Sequence, residues 1–236
     1  MAPGFQTTSW SLVLDAKAED TGGSREALDA LCRTYWPPVY TFFRSRGFGL
    51  EAAQDLTQEL FCCLIRRHFL AQVERGRGRF RTFLLASAEN LLRDTHRRNH
   101  AQRRGGTEVA VPVDPDRVEP LLAWENRHAA DPRLLYDRQW AQTVLDNVLR
   151  RLEDEFSASG RSRVFAVLRD SLAGSAETTP HRELAEVLGM TEGAVKTTVY
   201  RMRKRYGELL REEVGKTVER DQVEDELHHL LEALTT

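Results

Sequence analysis

The stretch at 191–210, TEGAVKTTVYRMRKRYGELL, repeats its apolar residues at helical spacing. At 100° per residue, Val195, Val199, Met202, Tyr206 and Leu209 gather on one side, in steps of four, three, four and three. Lys196, Thr197, Tyr200 and Lys204 face the other way, with Arg201 and Arg203 on the flanks. The stretch is therefore expected to be one helix with a dry face and a basic face. Immediately upstream, Thr179 can cap a shorter helix and Pro180 can occupy its first position. HRELAEVL then sets Leu184, Val187 and Leu188 on one side, Gly189 makes the break, and Thr191 caps the next helix. A short helix, a glycine turn and a longer helix with small first-turn residues, Gly193 and Ala194, form the helix-turn-helix pattern over about 180–207. The small residues are expected to let the second helix approach both its partner helix and a groove.

The basic face is at odds with the chain as a whole, whose formal net charge is −2 over 236 residues. The mean hides two basic segments. From Arg66 to Arg104 there are eleven Arg against Glu74, Glu89 and Asp94, and Lys196 to Arg205 holds five basic residues and no acid. The segments 107–137 and 211–236 are acidic, the first of them carrying VPVDPDRVEP. Two basic modules separated by an acidic, Pro-containing linker suggest two polyanion-binding domains. In the second, Lys196, Thr197 and Arg201 would reach base edges or phosphates of a major groove, while Arg203, Lys204 and Arg205 suit the backbone.

Several function classes are set aside. No stretch approaches the roughly 20 apolar residues needed to span a bilayer, and the start has no basic flank leading an apolar core, so a cytoplasmic protein is expected. Cys32, Cys62 and Cys63 do not suit a disulfide framework, and no His, Cys or acid stands in a metal-ligand pattern. No metal or other cofactor is expected. The basic modules hold no pair of metal-binding carboxylates and no activated nucleophile, so the chain is not expected to be an enzyme.

In the first module, FRTFLLASAENLLRDTHRRNHAQRR places Leu84, Leu85, Ala88, Leu91, Leu92 and Thr95 on one broad face. Phe83, Ser87, Asn90, Asp94, Arg97 and Arg98 occupy the other. The preceding loop, QVERGRGRF, and the residue after it supply charge through Arg75, Arg77, Arg79 and Arg81, with Gly76 and Gly78 permitting close backbone approach. Basic groups for a backbone, aromatic planes for stacking and an amide for base edges are what a single strand requires. Phe80 and Phe83 fit a core equally well. Upstream, EAAQDLTQELFCCLI turns Ala53, Leu56, Leu60 and Leu64 inward and Glu51, Asp55, Gln58 and Cys62 outward, with Glu59 on the flank. Phe61 and Ile65 at the border of that polar face suggest a partner surface, or an irregular amphipathic helix.

In order, YWPPVYTFFRSRG, DLTQELFCCLI, GRFRTFLLASAENLLRDTHRRN and HRELAEVLGMTEGAVKTTVYRMRKRY resemble a sigma-70 family factor of the extracytoplasmic-function type, over roughly 25–104 and 179–210. The resemblance implies an all-α chain. It would comprise a region 2 domain at 1–105, a linker at 106–134, and a region 4 domain at 135–236 with a helix-turn-helix and an acidic helical extension. It implies core RNA polymerase as partner, through the clamp helices of the largest subunit and the flap of the second largest. Asp55, Gln58 and Glu59 match the segment that docks on the clamp. Arg79, Phe80, Phe83 and Asn90 match the part that captures flipped non-template bases of the −10 element, and Arg93, Arg97 and Arg98 match the adjoining backbone-holding stretch. Lys196, Thr197, Tyr200, Arg201, Arg203 and Lys204 fall on the −35 reading helix. An anti-sigma factor or other regulator is a further partner class. A stand-alone helix-turn-helix regulator is the alternative.

Three segments depart from the family pattern. FSASGRSRVFAVLRDSLAGSAETTP lengthens the approach to the helix-turn-helix, and a helix from Ser9 would cap the first domain. The tail EEVGKTVERDQVEDELHHLLEAL is expected to bury Val223, Leu227, Leu230, Leu231 and Leu234 against a domain or a regulator.

Overall fold

The computed structural model describes residues 22–65, 79–101, 131–172 and 179–235, and all regular structure among them is helical. In chain order the helices are α1 (Gly22–Ser45), α2 (Leu50–Ile65), α3 (Phe80–Ala101), α4 (Pro132–Ala158), α5 (Ser162–Leu168), α6 (His181–Leu188), α7 (Glu192–Val214) and α8 (Val223–Thr235). Short 3-10 turns occupy Arg169–Leu172 and Arg220–Gln222. The chain forms two compact units, one of 1–143 with 214–236 and the other of 144–213.

The first unit is built on α1, whose Leu31, Tyr35, Trp36, Val39, Phe42 and Phe43 are all buried. Gly47 ends that helix at φ 89, a conformation that a side chain would resist, and the amide of Phe48 closes the turn on the carbonyl of Phe43. The chain returns as α2, which buries Ala53, Leu56, Leu60 and Leu64 as its periodicity predicts. Phe61, expected at the border of a partner surface, is instead 5% exposed and stacks on Trp36 at 5.6 Å. Its place is the core, because α1 offers a flat indole where the wheel alone showed an edge. From α3 come Phe80, Leu84, Ala88 and Leu92. Ser87, expected on the polar face, is buried too, its hydroxyl donating to the carbonyl of Phe83.

This unit reaches beyond the 1–105 expected for a first domain. It takes in the start of α4, with Leu135, Tyr136 and Trp140 buried, and the tail, with Val214, Val218, Leu230 and Ala233 buried. The tail's apolar stripe is not the expected one. Leu231 is exposed and Val223, Leu227 and Leu234 are half-buried, while the face turned inward runs through Glu226, Leu230 and Ala233. Of the expected linker, 106–130 lies outside the described residues, and 132–134 opens α4. The helix expected from Ser9 and the loop residues Arg75, Gly76, Arg77 and Gly78 also lie outside them.

The second unit encloses a core of Val148, Leu152 and Phe156 from α4, Phe165 and Leu168 from α5, Leu184 and Ala185 from α6, and Val195, Val199, Met202 and Leu209 from α7. The stripe predicted for α7 is thus the buried one, with Tyr206 packed at its edge. Two left-handed glycines set the turns: Gly160 at φ 70 after α4, and Gly189 at φ 64 after α6. At the second, the amides of Gly189 and Met190 close on the carbonyls of Glu186 and Ala185. The side chain of Thr191 accepts the amide of Ala194 and caps α7 as expected. Pro180 stands one place before α6 rather than at its first position. Val187 is exposed, not inward: Ala185 takes the inner position, and the Arg163 guanidinium bonds the Val187 carbonyl.

Candidate nucleic-acid interface

α3 offers its solvent face through residues that its own helical phase turns away from Leu84, Ala88 and Leu92. Asn90 and Arg93 are exposed, and Phe83 is half-buried, 6.3 Å from the Phe80 ring. Phe80 is not available to a base. It is 4% exposed and meets Tyr35 edge-to-face at 4.8 Å, so of the two expected roles it has the core one. Arg97 and Arg98 lie on the same helix, but their side chains fall outside the described residues. Beside this face, Arg46, Gly47, Phe48, Glu89, Leu92, Arg93 and Arg133 line an open cleft of about 570 Å³. Glu89 tempers its charge by accepting the Arg133 guanidinium at 2.7 Å.

The first turn of α3 holds a buried ionic cluster. Arg81, 7% exposed, donates its Nε to Glu226 at 2.6 Å and its Nη1 to Asp137 at 3.0 Å. Its guanidinium also lies over the Trp140 ring, 5.3 Å from the centroid, and its backbone carbonyl accepts the Tyr136 hydroxyl at 3.0 Å. Burial opposes the charge on Arg81, but bonding to Glu226 and the fields of Glu226 and Asp137 more than offset it, holding the group more firmly protonated than usual. Burial raises the Tyr136 phenol well above its ordinary range, so it acts as a neutral donor. Arg79 pairs with the same Glu226 carboxylate at 2.9 Å, its side chain 27% exposed and that of Glu226 1%. An arginine expected to meet DNA is therefore held by the chain's own tail. Arg81, expected to supply charge to a strand, is instead a buried anchor, and sequence reasoning did not find Asp137, Tyr136 or Glu226. The one available signal was an acid, Glu226, four residues before an inward leucine.

On α2, Asp55 is exposed, Gln58 is half-buried, and Glu59, on the flank beside Leu56, is half-buried too. The three expected docking residues thus share an accessible face.

In the second unit, the outer side of α7 presents Lys196, Thr197, Tyr200, Arg201 and Lys204, all exposed, with Tyr200 at 69%. Lys196 also pairs with Glu192 one turn back at 2.7 Å, and Thr197 donates to the carbonyl of Gly193. Two neighbouring arginines, expected at the DNA backbone, bond to other parts of the chain. Arg203 donates twice to the carbonyl of Ser171, at 2.9 and 2.6 Å, and so closes the end of the 3-10 turn. Arg205 is bound by Glu155 at 2.6 Å, with Glu208 and Glu212 beside it. The bond from Arg205 in turn holds the Glu155 carboxyl below its usual range. Arg203 is exposed and Arg205 half-buried, and both reach acceptors on other elements. A Cβ at Gly193 would meet open space, so the close approach of helices expected there is not what its smallness provides.

Residues 31–102 match the family model of sigma-70 region 2. The match runs from Leu31 on α1 through α2 and α3, so the face carrying Asn90 and Arg93 and the face carrying Asp55 both belong to it. The likeness to sigma-70 region 2 is thus confined to this segment of the chain. The second unit and α8 lie outside the matched segment. Searches of curated proteins and of solved structures returned no match. Among the described residues no helix is long and apolar enough to cross a membrane.

Proposed function

We propose that the chain is a promoter-specificity subunit of bacterial RNA polymerase, of the extracytoplasmic-function type, acting in the cytoplasm. The observation that carries this is the sigma-70 region 2 match laid over α1–α3, which leaves two polar faces accessible on one small domain. Asp55, Gln58 and Glu59 on α2 dock on the clamp helices of core polymerase. Phe83 and Asn90 on α3 take extruded bases of the −10 strand, and Arg93, with Arg97 and Arg98 farther along the helix, holds its backbone. The second unit is a region 4 domain, its helix-turn-helix formed by α6, the Gly189 turn and α7. Lys196, Thr197, Tyr200, Arg201 and Lys204 meet the −35 element, while the unit docks on the flap. Opening the duplex then requires no bond chemistry, since binding energy for unstacked bases offsets the few kcal/mol that unstacking costs.

Run-off transcription with purified core polymerase tests the proposal. Core plus this protein should start at a defined promoter, and failure to bind core overturns it. Arg201→Ala should weaken −35 binding by about 1–3 kcal/mol in a sequence-dependent way, whereas Asn90→Ala should lower the yield of open complex and spare −35 binding. Tight duplex binding by the protein alone, indifferent to core polymerase, would instead indicate a stand-alone helix-turn-helix regulator.

A further inference from the structure

Two arginines flank Phe80 and play different parts. Arg81 is an anchor, enclosed by Glu226, Asp137 and the Trp140 ring. Arg79 stands at the rim with 27% of its side chain exposed, and among the described residues it pairs with the buried Glu226 of α8. Its carbonyl accepts the amide of Phe83, which places it at the mouth of α3. The docked tail also brings the exposed Glu224 and Asp225 to the same end of α8. A polyanion approaching this turn therefore meets an arginine already engaged and added negative charge beside it.

We propose that α8 is an intramolecular competitor for nucleic acid: Glu226 holds Arg79 in the free protein, and strand binding at α3 displaces the tail. The inference rests on the reading of α3 as a strand-binding helix. A phosphate and the Glu226 carboxylate seek the same guanidinium donors, and both are acceptors only, so they cannot share them without repulsion. Arg79 is partly solvated, so a strand phosphate can reach its guanidinium and replace the carboxylate with an equally strong charge-assisted bond. Glu226 has no such latitude. With 1% of its side chain exposed, it keeps only the Arg81 guanidinium when Arg79 changes partner, and its charge then stands buried beside a second anion with half its former compensation, so α8 withdraws.

The test is binding of full-length protein to a labelled, mixed-sequence single-stranded deoxyoligonucleotide at fixed salt, with circular dichroism to verify the fold of each variant. Glu226→Gln keeps the side-chain volume and removes the competing charge. It should bind roughly threefold to tenfold tighter than wild type, and Arg79→Gln in the same background should abolish the gain. Hydrogen exchange of the wild-type protein supplies a readout that no substitution can disturb: amides of α8 should lose protection when the oligonucleotide is added. Unchanged or weaker binding by Glu226→Gln, together with unchanged protection of α8, overturns the proposal. In that case wild-type binding that is still lost on Arg93→Ala leaves the strand-binding reading of α3 intact. Absence of binding by wild type and every variant overturns both.

Discussion

Cys32 illustrates how one side chain reports its packing. It lies on α1 beside the buried Leu31, and burial, helped by the nearby Asp29 and Cys62, pushes its thiol up from 9.0 to about 11. Below pH 9 the thiol is protonated in both folded and unfolded chains, and its contribution to stability is complete. Between pH 9 and 11 the unfolded chain ionises while the folded one does not, so stability falls as pH rises, by up to about 1.4 kcal/mol per pH unit. Urea denaturation at pH 8 and pH 10 should show a smaller loss for Cys32→Ala than for wild type, and equal losses would contradict the burial argument. Glu226 is the opposite kind of residue. A carboxylate with a fully buried side chain is tolerated only because two guanidinium groups reach it, and removing one partner of such a cluster typically costs about 3–5 kcal/mol. At this scale the sequence was least informative, because Arg81 and Glu226 lie 145 positions apart and nothing local links them.

At the scale of elements the sequence was far more legible. The stripes of α2, α3 and α7 are periodic because each helix packs one face on a core, and Ala53, Leu60, Leu84, Val195, Val199 and Met202 are buried where the spacing places them. Errors fell at the edges of those stripes, where a neighbouring element decides. Phe61 was drawn in by Trp36, and Arg203 was captured by the Ser171 carbonyl. Turns follow local chemistry, and the turn between α6 and α7 is the clearest case. Gly189 holds φ 64 with nothing within 4 Å of where a Cβ would stand, so Gly189→Ala should cost about 1 kcal/mol through backbone strain alone. Thermal denaturation of the two proteins checks the value, and a neutral substitution would mean that the turn relaxes.

For the whole molecule, the division of the chain into units is not the division of the sequence into segments. The acidic tail returns to the first unit, where Val214, Val218 and Leu230 join residues of α1 and α3 in being buried. A chain ending at Glu213 should therefore lose stability in the first unit and keep it in the second. Calorimetry should show one transition lowered and the other unmoved. A drop in the second transition would place the tail elsewhere.

By itself the sequence determined that the chain is helical, which faces of α2, α3 and α7 are dry, and where the glycine turn between α6 and α7 falls. These follow from spacing, caps and charge within about twenty residues, the range over which backbone geometry fixes who is neighbour to whom. Only the tertiary structure decided that Phe80 and Phe61 are core and that Arg203 meets the Ser171 carbonyl and Arg205 meets Glu155. It alone brought Glu226 to Arg79 and Arg81. Those outcomes depend on which surface a side chain meets after the chain has turned back on itself, and a buried charge is placed by its distant partner rather than by its own helix.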